Sequence, residues 1–315
     1  MISIRLETAG AVAVARTDAA VGVADLHLVE GQDGPILITT TRGDGWATAY
    51  NLSGDGTDHL DSWKIDSALL QLESTNLAVL QSDDGPRLLL AGLAGDSLTA
   101  LPLGTGSRFF TSAEGFNASG LDMSTISEIS VSGLQALAGL RGGGLSVLTF
   151  EGDDVTARAV SGSNLPDSAA SAVATLDSDG TLYGFASYGR HDALAAFSIA
   201  GNGRATLLSV MDADDLGSAL AGAEALQAIE LAGQPYVIVA AADSGALSVF
   251  ALEQDGLRLT DQILDSRDTR FADAAHLEVA ELDGRLYVVA AGSDSGISLF
   301  TLMPGGRLHH LEPIA

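Results

Sequence analysis

Four short apolar runs, separated by turns rich in Gly, Asp and Ser, recur along the chain with a period of about fifty residues, and no other feature restricts the possible folds as strongly. The late copies show the unit best: QPYVIVAAADSGALSVFALEQDGLRLTDQILDS from Gln234, and GRLYVVAAGSDSGISLFTLMPGGRLHHLEPIA from Gly284. Each holds three β-branched or aromatic runs, and the segments beginning at Ala225 and His276 supply a fourth run just upstream. Earlier copies begin near Leu26, Leu77, Ser127 and Ala172. A lone four-stranded sheet cannot bury both faces, so such a unit must pack against copies of itself. The expected fold is therefore all-β, a β-propeller of four-stranded blades.

The second run of each copy is almost wholly apolar, from Ile36, Leu88, Tyr236 and Leu286, as a strand sandwiched between neighbouring sheets requires. The last run mixes in charge, as in Leu257–Leu264, which suits an edge that must not recruit another chain. Residues 1–25 read as the third and fourth strands of a further blade, because Ile2–Leu6 resembles the run from Ile297 and the stretch from Ala11 resembles that from Gln262. The expectation is a single domain over residues 1–315 with seven blades, the last one incomplete. Its boundaries fall near 1–25, 26–75, 76–125, 126–170, 171–222, 223–273 and 274–315. A six-bladed ring with an extra N-terminal hairpin is the alternative. An open blade would leave a strand edge through which two copies could associate weakly.

Charge narrows the choice of partners. Against 41 acidic residues stand 15 basic ones, of which Lys64 alone is a lysine, giving a net charge of −26. Such a chain repels phosphate backbones and anionic membranes, so nucleic acid is excluded and cations or basic proteins are favoured. No apolar run approaches the roughly eighteen residues of a membrane span, and Glu7 stands where a signal peptide would need apolar residues. Without cysteine there is no disulfide, thiolate metal site or thiol nucleophile, which fits either the cytoplasm or an extracellular protein without disulfide chemistry.

The run YVVAAGSDSGISLFTLMPGGRL, from Tyr287, resembles the blade consensus of lactonase-type propellers, and the similarity extends over all six copies. The blade pattern, together with the cysteine-free, Asp- and Gly-rich composition that prefers Arg over Lys, also resembles the propeller region at the N-terminus of some hemolysin-type calcium-binding (repeats-in-toxin) proteins. That second resemblance implies secretion without a signal peptide and an extracellular location. The family's own glycine-rich nonapeptide does not occur, and Gly142–Gly144 with the following residues lacks its spacing.

The turn between the second and third runs carries an aspartate in five of the six copies, Asp44, Asp96, Asp192, Asp243 and Asp294; the third copy has Gly142–Gly144 instead. With Asp25, Glu224 and Asp273 near the starts of first runs, these could place carboxylates on one face. That face would suit calcium, a hard cation needing several oxygen ligands, or a basic protein or extracellular surface component. Asp before Ser or Gly is equally what a tight hairpin turn selects. Asp55, Asp58 and Asp61 resemble a calcium loop but miss EF-hand spacing. The six histidines, at 27, 59, 191, 276, 309 and 310, form no zinc motif; His309 and His310 alternate on a strand and cannot chelate together. Trp46, Trp63, Phe109, Phe110 and Phe116 fill a core or form an aromatic patch. No nucleophile elbow or phosphate loop occurs, and no catalytic residue can be assigned. The sequence points to a non-enzymatic binding or scaffold propeller with an acidic loop face, the alternative being a lactonase-like hydrolase with a divalent cation in the channel.

Overall fold

The computed structural model describes residues 23–314 except 32–33, 42–44, 53–57, 67–75, 83, 96, 106–107, 163, 283 and 294–296. The fold is an all-β propeller. Among the described residues, six sets of four consecutive strands follow one another. They are β1 to β4 (Val23–Gly31, Gly34–Thr41, Trp46–Asn51, Asp58–Lys64) and β5 to β8 (Asn76–Ser82, Gly85–Ala91, Ser97–Pro102, Glu114–Ser119). Next come β9 to β12 (Ile126–Ser132, Gln135–Leu140, Leu145–Glu151, Asp154–Ala159) and β13 to β16 (Ala172–Ser178, Thr181–Tyr188, Ala193–Ile199, Ala205–Met211). The last are β17 to β20 (Ala223–Leu231, Gln234–Ala241, Ala246–Glu253, Gly256–Leu264) and β21 to β24 (His276–Leu282, Arg285–Ala291, Ile297–Met303, Arg307–Ile314). The half blade expected over residues 1–25 lies outside the described residues up to residue 22, while Val23 to Asp25 already belong to β1. The chain divides into two compact units, one reaching to Ala136 and including Leu148–Arg158, the other made of Leu137–Val147 and the chain from Ala159 onward.

Side-chain alternation explains the continuous apolar second strands. On β18, Val237 and Val239 join a cluster with Phe185, Leu194 and Ala196 of the preceding sheet. The intervening Tyr236, Ile238 and Ala240 join Leu277, Leu286, Val288 and Phe300 of the following one. One strand thus serves two cores. In the first unit, Ile36, Ile38 and Ala49 meet Leu77, Leu88, Leu90 and Leu101 in the same way. Phe109 and Phe110 belong to this cluster, with Trp63 packed against it, and Phe116 is buried, whereas Trp46 is half-buried with the Lys64 ammonium 5.3 Å from its ring centroid.

Hydrogen bonds between repeats add direction to this packing. The third and fourth strands carry a register shift after Ala49, Ala196, Val249 and Leu299. Opposite Ala49 and Val249 stand Asp61 and Asp261. Asp61 Oδ1 accepts from Ser62 N–H at 2.8 Å and its Oδ2 from Phe110 N–H at 2.9 Å, one repeat further on. Asp261 repeats this in the second unit, accepting from Gln262 N–H at 3.0 Å and Leu308 N–H at 2.8 Å. A bulge leaves backbone groups without ladder partners, and the carboxylate uses that freedom to fasten the next sheet. Buried third-strand hydroxyls hold the incoming linkers: Ser248 Oγ donates to Ala219 O at 2.8 Å, and Ser298 Oγ accepts from Arg270 N–H at 2.7 Å.

The fourth strands are not all free edges. In the first unit β8 and β12 pair in parallel, with Asn117 opposite Asp154, Ala118 opposite Val155 and Thr156 opposite Ser119. The resulting eight-stranded sheet has the order β5-β6-β7-β8-β12-β11-β10-β9. Charge on the outer runs therefore does not prevent pairing within the chain. Asn117 Nδ2 donates to Asp154 Oδ1 at 3.1 Å across this join, and the Phe116 and Phe150 rings meet edge-on at 5.2 Å.

Candidate functional site

Two sets of polar residues come together on repeated elements, one in turns and one on first strands. Of the five turn aspartates, Asp192 and Asp243 are described; Asp44, Asp96 and Asp294 lie outside the described residues. Asp192 has a left-handed backbone (φ 48°), and its Oδ1 accepts from Gly222 N–H at 2.9 Å. Gly222 is itself left-handed, and a Cβ there would lie 2.8 Å from Cγ of Asp243; only glycine fits between the two turns. A Cβ on Gly189 would lie 2.8 Å from Oε1 of Glu224. The sequence thus brings the carboxylates of Asp192, Glu224 and Asp243 to one cluster of turns in the second unit. Glu224 and Asp243 are exposed, and none of the three forms a salt bridge with a described residue. Asp273 is engaged differently, its Oδ2 accepting from Ser293 Oγ at 2.6 Å. Among the described residues no group of three or more His, Asp or Glu side chains has the geometry to hold a metal ion.

The first strands supply the other set. In every repeat, the residue four before the end of the first strand occupies the same place: His27, Ala78, Glu128, Ala174, Gln227 and Glu278. In the first unit Asn76 Nδ2 reaches Glu128 Oε1 at 3.4 Å, from one first strand to the next. In the second, Gln227 Nε2 donates to Leu277 O and Glu278 Oε2, both at 3.3 Å. Only His27 of this column is conspicuous in the unaligned sequence. Superposing the repeats on their hairpin turns would have exposed the others.

Burial tunes two members of this column and the neighbouring Asp25. Desolvation lowers the pKa of His27, favouring a neutral imidazole. Asp25, on the same strand, is raised by desolvation, partly offset by the N–H groups of Leu77 at 2.6 Å and Leu26 at 2.8 Å. Solvent reaches Glu278, yet protein displaces enough of its surrounding water that desolvation raises its pKa too. Signs follow from which state holds the proton more tightly. His27 contributes stability above its unfolded pKa, near 6.5, that is lost as pH falls through the folded value. Asp25 and Glu278 act oppositely, contributing stability at low pH that is lost as pH rises through their raised folded values. His27→Gln should therefore flatten the decline in unfolding free energy between neutral and mildly acidic pH. Urea titrations across that range on both proteins check this, and parallel pH profiles would refute the assignment to His27.

Other histidines stand apart. His309 is exposed, whereas His310 lies half-buried on the other side of the strand with its ring 5.1 Å from Phe300, the opposition expected from alternation. His59 bonds to Ser62 Oγ at 2.7 Å. Asp58 and Asp61 belong to β4, with Asp61 committed to its backbone contacts; Asp55 lies outside the described residues.

No family model matches this sequence, and no curated protein matches it. Solved structures do resemble the fold. The periplasmic gluconolactonase of Pseudomonas aeruginosa superposes with a TM-score of 0.64 at 19% identity, covering 91% of this chain and 84% of that one. A Lactobacillus plantarum protein gives 0.60 at 16%, with the same coverages. A Bacteroides fragilis protein proposed to be a 6-phosphogluconolactonase gives 0.57 at 14%, covering 92% and 82%. The sheets define a β-propeller, and these similarities, all below 20% identity, bear on that fold alone.

Proposed function

We propose that this chain is a non-enzymatic binding module that offers acidic turns to a basic protein partner outside the cell. The observation that carries this reading is the gathering of Asp192, Glu224 and Asp243 at one cluster of turns, without a salt bridge to a described residue, on a chain of net charge −26. Surplus carboxylates of this kind draw a cationic surface in by long-range attraction and then fix its orientation at short range. The resemblance to hemolysin-type proteins favours the extracellular setting. An immobilised oligo-arginine peptide provides the test. Neutralising the cluster through Asp192→Asn, Glu224→Gln and Asp243→Asn should slow association several-fold at low salt and leave little difference at high salt. Equal association rates for the two proteins would overturn the docking role of these turns.

A second reading, a lactonase-like hydrolase, is favoured by the fold similarity to the Pseudomonas gluconolactonase. Neutral His27 would then take a proton from the water that attacks the lactone carbonyl. Turnover of glucono-δ-lactone above the spontaneous rate, lost in His27→Ala, is what this reading expects. An uncatalysed rate for the folded protein, with and without calcium, removes it.

A further inference from the structure

A separate cavity of about 430 Å³ opens in the first unit between β6, β8 and the turn joining β11 to β12. Small-molecule sites commonly span about 300 to 1,000 Å³, so this volume can admit a ligand. Its floor is the guanidinium of Arg87, whose side chain is only 12% exposed and lies over the Phe116 ring at 5.4 Å. Asp84, Asp153 and Glu114 surround it at 3.5, 3.6 and 4.0 Å. These separations compensate the charge but exceed good hydrogen-bond lengths, so the five N–H donors of the guanidinium are poorly used by the carboxylates. The acids are themselves 84%, 80% and 51% exposed, with lone pairs open around the mouth.

We propose that this cavity binds a neutral or amino saccharide, because it sets a buried cationic donor beside exposed carboxylate acceptors, and sugar hydroxyls can engage both kinds of group. A hydroxyl both accepts and donates, so it can receive an Arg87 N–H while giving its own proton to a carboxylate. A phosphate group or the carboxylate of a uronic acid could only accept, and either would meet three carboxylates around a single cation. A bare metal ion would face the guanidinium, and these acids do not converge into a coordination shell. Asn117 on the wall adds an amide of mixed donor and acceptor character. The site shares no residue with the acidic turns or the first-strand column, so its fate is independent of the function proposed above.

Titration calorimetry of the full chain with maltose, cellobiose and the glucosamine disaccharide, with glucuronate as the acidic control, tests the assignment. At least one neutral or amino sugar should bind in the millimolar range and glucuronate should not. The double substitution Asp84→Ala, Asp153→Ala, at two exposed positions, should weaken that sugar about tenfold or more while the thermal melt shows the fold retained. Arg87→Gln should abolish binding. The proposal fails if no sugar binds, if glucuronate binds best, if calcium chloride gives the only heat, or if the double variant binds as the parent does.

Discussion

Gly292→Ala should destabilise the protein by about 4 kcal/mol or more, into the range reserved for severe core or backbone disruption. The residue follows β22, where a Cβ would overlap the carbonyl oxygen of Ala272 in the linker that enters the same repeat. That oxygen is fixed in place, since Ser293 N–H donates to it at 2.7 Å. Neither backbone can retreat without giving up this bond or the Asp273 contact to Ser293 beside it. Exposed Gly142 is the control: a Cβ there meets nothing within 4 Å, so Gly142→Ala should change stability by no more than about 0.5 kcal/mol. Chemical denaturation of both variants checks the contrast. Equal stabilities would mean that the linker yields far more easily than its hydrogen bonds suggest.

Asp261→Ala should cost about 2–4 kcal/mol, because it removes two bonds to a charged acceptor and leaves the N–H groups of Gln262 and Leu308 without that partner. Asp261→Asn, which keeps one carbonyl acceptor, should fall between. The bond to Leu308 joins consecutive repeats, so amide exchange should accelerate at the start of β24 as well as around position 261. A change confined to β20 would show that the carboxylate serves only its own bulge. Asp61→Ala should reproduce the pattern in the first unit, with Phe110 as the sensor.

The strands were largely legible because their pattern has a direct physical cause. A second strand such as Tyr236 to Ala241 must satisfy apolar neighbours on both faces, so its composition announces its position. The Asp61 and Asp261 contacts were written in the sequence less openly. Leu60-Asp61-Ser62 and Thr260-Asp261-Gln262 occupy matching places, but an aspartate on an outer run looks like ordinary surface polarity until the register shift beside it is known. Asp61 could even be mistaken for part of a calcium loop. The pairing of β8 with β12 left no signal, since three residue pairs of parallel ladder depend on where two edges happen to meet. Arg87 was equally silent, its surroundings drawn from three separate stretches of chain. The carboxylates at Asp192 and Asp243 were visible as turn residues, whereas their closeness at Gly222 depends on a linker whose path no local pattern sets.

The parallel join between β8 and β12 also bears on how the protein comes apart. Elsewhere a four-stranded sheet could fray from its outer strand inward, one hairpin at a time. The second and third repeats instead hold each other's outer strands, so neither can begin that process without first breaking with its neighbour. Under a pulling force or a protease, these two repeats should behave as one cooperative block, and the first cut or slip should occur in sheets whose last strand has only a single partner among the described residues.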